Sequence, residues 1–389
     1  MEDPEGAVGN PGLLFSLSTA VTAGLLIFRI KNDVRPEWGR LLWSLGLLVG
    51  VELLCFWLLP SYSGLILLIL VSFAVHLTAA GQSMMLPCQD RAVLITGCDT
   101  GFGHKLAKTL DRAGVKVFAG VLDESGAGAQ ELKSVGSPQL HVLQLDVTDS
   151  TQIHHAYHHI KSHVGDAGLW GLVNNAGVLG YYGDGEILPM RIYRKCLDVN
   201  FLSNVEMTQV FLPLLRKAKG RIVNISSLAG AVPIPGFSAY GASKAAVTSF
   251  SGVMRQELSK WGIKVAVVQP AGFRTNILGS KEEWDSTERE ILHSLSEEVR
   301  ETYGEEYISS MQHCLINVNS SSVADLRPVL DSMQHALFAV KPKPLYDPGM
   351  SGWAIPFICR TCPVWLYDSI FTRMFVFGNA QPAGLKLST

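Results

Sequence analysis

An α/β fold with a doubly wound parallel sheet, preceded by transmembrane helices, is what this sequence predicts. Three observations predict it. Three nearly charge-free apolar runs occupy the first 80 residues. From residue 88 onward, short β-rich runs alternate with helical stretches. A glycine-rich turn follows the first of those runs and opens a helix. The composition agrees: with 48% hydrophobic and only 17% charged residues, the chain of 389 is too apolar for an ordinary soluble enzyme. Its net charge of −2 gives no basis for a nucleic-acid partner.

The apolar runs are 12–28, 41–59 and 64–80. Each approaches the roughly 17–25 residues that carry a helix across a bilayer. The first is not a secretory signal, because Glu2, Asp3 and Glu5 precede it where such a signal is basic. Glu52 inside the second run is costly at mid-membrane unless it is paired or protonated. The segment 29–40 carries Arg29, Lys31, Arg35 and Arg40, and "PSYSG" (60–64) is long enough only for a hairpin. Positive charge stays cytosolic, so if all three runs span, the chain emerges on the cytosolic side.

Strand-like runs follow at 91–97, 115–121, 140–147, 171–177, 220–227 and 263–270. Continuously apolar strands with helices between them describe a parallel sheet covered on both faces. Beyond 280 come an acidic helical region (281–307), a helix near 321–339 and the apolar, aromatic stretch 352–377.

The turn "LITGCDTGFGHKLAKTL" (94–110) places Gly97, Gly101 and Gly103 between strand and helix. Glycines there allow a tight turn and close backbone approach to a pyrophosphate, held by the positive end of the helix. Farther on, "SAYGASKAAV" (238–247) sets Tyr240 and Lys244 one helical turn apart. A tyrosine, with an ordinary pKa of about 10, is a poor base near neutrality unless its phenolate is stabilised. A lysine on the same helical face supplies that cation. Ser227, thirteen residues earlier at a strand end, is placed to hydrogen-bond a substrate oxygen; Ser226 is its rival.

Together these motifs resemble the short-chain dehydrogenase/reductase family over roughly 90–280. The spacing Gly97-x3-Gly101-x-Gly103, "NNAG" (174–177), "DVN" ending at Asn200, "ISS" ending at Ser227, the Tyr240/Lys244 pair and "QPAGFRTNI" (269–277) carry the likeness. The resemblance implies a Rossmann-type fold and a catalytic set of Asn200, Ser227, Tyr240 and Lys244. It further implies cofactor contacts from Thr96, Gly97, Gly101, Phe102, Gly103, Asp123, Asp146, Val147, Asn174, Ala176, Gly177, Tyr240, Lys244, Pro270 and Thr275, and no metal. Ala271 stands where many relatives carry glycine. The second strand ends in Asp123 and Glu124, with no basic residue in the glycine turn. Carboxylates there repel a 2′-phosphate and accept from a free ribose hydroxyl, so NAD is expected over NADP, with either acid eligible for the ribose.

Several stretches, among them "GLWGLVNNAGVLG" and "ELSKWGIKVAVVQPAGF", resemble the membrane-bound, oxidative hydroxysteroid dehydrogenases within that family. The expected reaction is oxidation of a steroid 17β-hydroxyl, estradiol to estrone and testosterone to androstenedione. An 11β-hydroxycorticosteroid or retinol is the alternative substrate, and a non-catalytic membrane scaffold the alternative role. The expected selectivity walls are Leu228, Val232, Ile234, Phe237, Leu179, Tyr181, Ile277, Leu278 and Trp284. Partners implied are the steroid and membrane lipid, with a homodimer left open, and the expected location is the endoplasmic reticulum membrane, crossed more than once. The chain thus divides into an anchor (1–87), an NAD-binding catalytic domain (88–280) and a substrate lid with an apolar tail (281–389). The seven cysteines lack framework spacing and read as free thiols. Of two sequons, Asn224 falls in a core strand where no glycan fits, and Asn319 leaves the membrane face open.

Overall fold

The computed structural model describes residues 16–24, 38–58, 61–78, 84–311, 315, 322–349, 352, 354–374 and 381–386. The chain forms two compact units, Met1–Met85 and Leu86–Thr389.

In the first unit, residues 16–24 are helical, and α1 (Trp38–Leu58) and α2 (Ser61–Thr78) form a helical hairpin. Cys55 and Leu68 are buried against each other, with Val51 and Leu65 beside them. Glu52 has a partner: the Ser16 hydroxyl donates to its carboxylate at 3.2 Å. The ends of the first and third apolar runs and Leu59 of the second lie outside the described residues. Among the described residues, no helix is long and apolar enough to cross a membrane.

The second unit is built on a seven-stranded sheet in the order β3-β2-β1-β4-β5-β6-β7. The strands are β1 (Ala92–Ile95), β2 (Lys116–Val121), β3 (Leu140–Gln144), β4 (Gly171–Asn174), β5 (Arg221–Ile225), β6 (Lys264–Val268) and β7 (Leu345–Tyr346). Every pairing is parallel. Successive side chains point to opposite faces of a strand, and β1 divides accordingly. Val93 and Ile95 join a core with Leu106 and Leu110 of α3 (Gly101–Arg112), Leu132 of α4 (Ala127–Val135) and Val329 and Met333 of a helix at 327–338. Ala92 and Leu94 join the opposite core with Ile153 and Ile160 of α5 (Ser150–Val164) and Phe211 and Leu214 of α7 (Ser203–Ala218), which follows α6 (Met190–Leu197). Both faces are thus covered, as the continuous apolar strands require.

The strand order reverses direction between β1 and β4, which opens a crevice at the carboxyl ends of those strands. All six expected runs contain a strand, and every strand but β2 stops short of the end of its run. The leftover residues, Thr96 and Gly97, Asp146 and Val147, 175–177, Ser226 and Ser227, and Gln269 and Pro270, leave the ladder at that crevice. The segment 281–389, expected as a lid and tail, supplies β7 to the sheet and the helix at 327–338 to the core.

Candidate active site

Gly97, with φ of +68°, turns the chain out of β1; a Cβ there would lie 2.8 Å from the Ala176 Cα. The two loops of the crevice therefore touch backbone to backbone. Thr96 ties them together: its hydroxyl oxygen accepts from the Asn175 and Ala176 amides, both at 3.0 Å. The Asn175 carboxamide returns the tie by donating to the carbonyls of Thr96 (2.9 Å) and Gly97 (3.0 Å). Asn174 differs from the expectation that it meets a cofactor. It is 1% exposed and donates to the Asn224 carboxamide at 2.8 Å, which in turn donates to Ser251. The first asparagine of the pair holds β4 to β5, and the second faces the crevice. Asn224 is fully buried, as its place in a core strand requires.

Asn200 sits in a π-helical turn, 198–202, between α6 and α7. Its carboxamide accepts from the Val178 amide (2.8 Å) and donates to the Val178 carbonyl and the Ser243 hydroxyl, both at 2.9 Å. It straps the loop after β4 to α8 (Ser238–Leu258), the helix that carries Tyr240 and Lys244. Gly241 within "SAYGASKAAV" has a packing cause: a Cβ there would lie 3.0 Å from the Ala229 carbonyl oxygen. A Cβ at Gly230, in the turn after Ser227, would lie 2.6 Å from the Lys244 carbonyl carbon.

Ser226 and Ser227 separate cleanly. The Ser226 hydroxyl is buried and donates to the Lys244 carbonyl at 2.8 Å. The Ser227 hydroxyl accepts from the Ala229 amide at 3.2 Å and lines the cleft together with Tyr240. Burial pushes the Tyr240 phenol up to about 12, the Ser227 hydroxyl opposes that rise, and the nearby Cys196 thiol adds to it. Burial lowers Lys244 to about 8, with Cys196 acting in the opposite direction. The Lys244 ammonium lies 5.8 Å from the Tyr240 ring centre and donates to the Ile225 carbonyl at 2.9 Å. Lys244 Nζ and Asn200 Oδ1 both come within 3.1 Å of where a Gly177 Cβ would stand, so a larger residue there would push one of them aside by a few tenths of an ångström.

These groups open on a cleft of about 240 Å³. Gly97, Gly101, Phe102, Ala176, Gly177, Ser227, Tyr240, Lys244, Pro270 and Thr275 line it. Asn200, Thr96, Gly103, Asn174, Asp123, Asp146 and Val147 stand outside that lining. The Asp146 carboxylate accepts from the amide and hydroxyl of Thr148, and Val147 is buried. Asp99, Asn175 and Phe273 line the cleft although the sequence had not marked them. The Asp99 carboxylate accepts from the Leu122 amide at 2.9 Å and fastens the glycine turn to the end of β2. Cys196, one helical turn before Asn200, was also missed; its spacing was the available signal.

A second surface adjoins Tyr240. Leu179, Tyr181 and Trp284 share a buried cluster with it, and Ile234, Phe237 and Leu278 pack against that cluster. The Tyr181 and Trp284 rings lie 4.6 Å apart. Val232 instead packs on Tyr367 and Phe371 of the helix at 364–374, with Leu228 alongside, and Ile277 lines the cleft itself.

A sequence model described as short chain dehydrogenase matches residues 91–286. The chain belongs to the short-chain dehydrogenase family. It is 46% identical to human 17-beta-hydroxysteroid dehydrogenase type 2, over 94% of either chain. Mouse estradiol 17-beta-dehydrogenase 2 is 45% identical over 89% of this chain and 88% of its own. Bovine 11-beta-hydroxysteroid dehydrogenase type 2 is 40% identical over 92% of this chain and 88% of its own. Among solved structures, a short-chain dehydrogenase from Streptomyces avermitilis superposes with a TM-score of 0.58 at 23% identity, covering 73% of this chain and 97% of that one, which shows the shared fold.

As a short-chain dehydrogenase the chain is an oxidoreductase that works with a nicotinamide dinucleotide. The residues present fit that group. Thr100 precedes α3 without a side-chain cap, leaving first-turn amides open beside Gly101 on the cleft. An uncapped helix start with no side chain in the way suits a pyrophosphate.

Proposed function

We propose that this short-chain dehydrogenase oxidises the 17β-hydroxyl of steroids with NAD, in an enzyme held at the endoplasmic reticulum membrane. The observation that carries the reading is that Tyr240, which lines the cleft with Ser227, also belongs to one buried cluster with an apolar wall of Leu179, Tyr181 and Trp284. A rigid hydrocarbon with one hydroxyl at its end suits an apolar wall that meets the cleft at Tyr240. The names of the relatives support the same substrate class.

A nicotinamide bound in this cleft would supply the acceptor for the hydride of the carbinol carbon. Ser227 holds the substrate oxygen, and Tyr240 takes the hydroxyl proton as general base. Lys244 stabilises the phenolate by its charge, while Asn200 keeps the Val178 loop and α8 in register around it. The products are the ketone, the reduced cofactor and a proton passed to solvent. Membranes expressing the chain, supplied with NAD, should turn over estradiol and testosterone faster than cortisol or retinol. Cortisol or retinol in first place removes the 17β assignment and leaves a dehydrogenase of another lipophilic alcohol.

Selection of NAD rests on acids at the end of β2. Glu124 is committed elsewhere, its carboxylate accepting from the Gln144 amide at 2.7 Å. Asp123 gives Oδ1 to Ser125, whose hydroxyl hydrogen bond holds the carboxyl below its usual range and so ionised. We assign the ribose contact to Asp123, with Asp99 adding negative charge beside it. Asp123→Arg should raise the ratio of NADP to NAD specificity by at least about tenfold, from roughly 1.4 kcal/mol of altered charge interaction. A wild-type enzyme already preferring NADP sinks the assignment.

The membrane part rests on exposed apolar surface. Leu53, Trp57, Ile69 and Phe73 face outward on α1 and α2, and Val364 (72% exposed) and Trp365 (70%) do so near the C-terminus. A span by residues 12–28, 41–59 and 64–80 puts the catalytic unit in the cytosol. Protease added to sealed microsomes should then digest residues beyond 88. Protection of that region, or a glycan on Asn319, which lies outside the described residues, places it in the lumen.

A further inference from the structure

Five of the eleven histidines fall in the fifteen residues of α5, "STQIHHAYHHIKSHV". Two of them, His159 and His163, stand one turn apart and meet His141 of β3. One ring nitrogen from each of the three lies within 4.8 Å of the others. Imidazoles on zinc sit about 2.0–2.1 Å from the metal, so their nitrogens are then about 3.4 Å apart. The triad is within about 1.4 Å of that spacing, a rotamer adjustment for rings that are partly or fully exposed.

The tautomer at one ring is already set for a ligand. His163 Nδ1 lies 2.8 Å from the His159 carbonyl, so it carries the proton and leaves the Nε2 lone pair for a metal. Lys116, which donates to the His163 carbonyl at 3.3 Å, is a like charge that opposes a dication, but its long chain is able to swing away.

We propose that His141, His159 and His163 form a site for a late first-row divalent cation of the zinc type, with a fourth position open to water. Three nitrogen donors without a carboxylate select such ions over magnesium or calcium. The site is remote from the reaction. His141 is the second residue of β3, and α5 runs back against the strands, so His163 in its last turn lies toward the amino ends of the sheet. The catalytic cleft is at the carboxyl ends. Bound metal therefore clamps the edge strand β3 to α5 and stabilises the fold by mass action without entering the chemistry.

The test uses the untagged full chain in detergent, stripped with chelator and titrated with zinc by calorimetry and with cobalt by visible absorption. One saturable site of micromolar affinity or better is expected, with a rise in melting temperature and unchanged turnover. His163→Gln should weaken binding at least about tenfold, whereas His155→Gln, on the same helix outside the triad, should leave it unchanged; His159→Gln repeats the reading if His163→Gln fails to fold. Absence of a saturable site, or affinity unaltered by both triad variants, overturns the proposal. The first outcome leaves a ring-stacking cluster only, and the second assigns the metal elsewhere, such as Cys359 and Cys362.

Discussion

Tyr240→Phe is expected to lower steroid oxidation by about 10²–10⁴-fold, the range that a positioned general base contributes. The substitution removes one oxygen and nothing else. Its cost to the fold is at most one polar contact beside Ser227, of the order of 1 kcal/mol. The ring remains in its cluster beside Phe237, 6.1 Å away, so melting temperature and nucleotide affinity should change little. The pH profile separates a lost base from a displaced substrate. Burial sets Tyr240 at about 12, so the phenolate fraction, and with it the wild-type rate, grows as pH rises. Lys244, lowered by burial to about 8, loses its supporting charge as pH passes that value, which works against further gain. The wild-type kcat/KM should therefore rise toward about pH 8 and then flatten, a profile belonging to the pair rather than to either residue. Residual turnover in Tyr240→Phe should lack the rise. Near-normal oxidation in the variant, or the same rise with pH, removes Tyr240 from the proton-transfer step.

That pair was legible because its chemistry is local: four residues of helix fix the relation of Tyr240 to Lys244, and no long-range contact is needed to read it. The same holds for the six strand-like runs, whose apolar continuity follows from burial on both faces. What was not legible depends on contacts far apart in sequence. Asn174 and Asn175 are chemically identical neighbours, and their opposite fates are set by where β4 ends: Asn174, its last residue, pairs with Asn224, and Asn175, past the ladder, donates to Thr96 and Gly97. Asp99 gains its place only because β2 ends beside the glycine turn, 23 residues away. The strand β7 has two residues, flanked by Pro344 and Pro348, and carries no periodic signal; it exists because β6 leaves an edge to which the Val267 amide and the Pro344 carbonyl add a bond. The apolar walls were named as one set, yet they divide between the Tyr240 cluster and the helix at 364–374, because the chain after Ser227 runs between the two.

Gly97→Ala should cost at least about 100-fold in nucleotide affinity, for a reason that a second glycine isolates. Position 97 has φ of +68°, and an alanine there is strained by about 1–2 kcal/mol whatever surrounds it. Gly114, in the turn between α3 and β2, has φ of +82° and carries the same penalty. The two sites differ in what the new methyl meets. At 114 its nearest neighbour is the Gln89 Cγ, 3.8 Å away, which is ordinary contact. At 97 it meets the Ala176 Cα at 2.8 Å and the Ala176 amide nitrogen at 3.1 Å, both backbone atoms in the loop that Thr96 and Asn175 bind. Neither loop is able to yield without breaking those bonds, each worth about 1 kcal/mol and all of them at the floor of the cleft. Gly114→Ala should accordingly lower stability by the backbone strain alone and leave nucleotide affinity intact. Gly97→Ala should lose both, measured by thermal unfolding and by calorimetric titration with NAD. Equal stability losses with affinity preserved in both variants mean that the turn tolerates a displaced Ala176, and the close approach of the two loops is then not what shapes the nucleotide site.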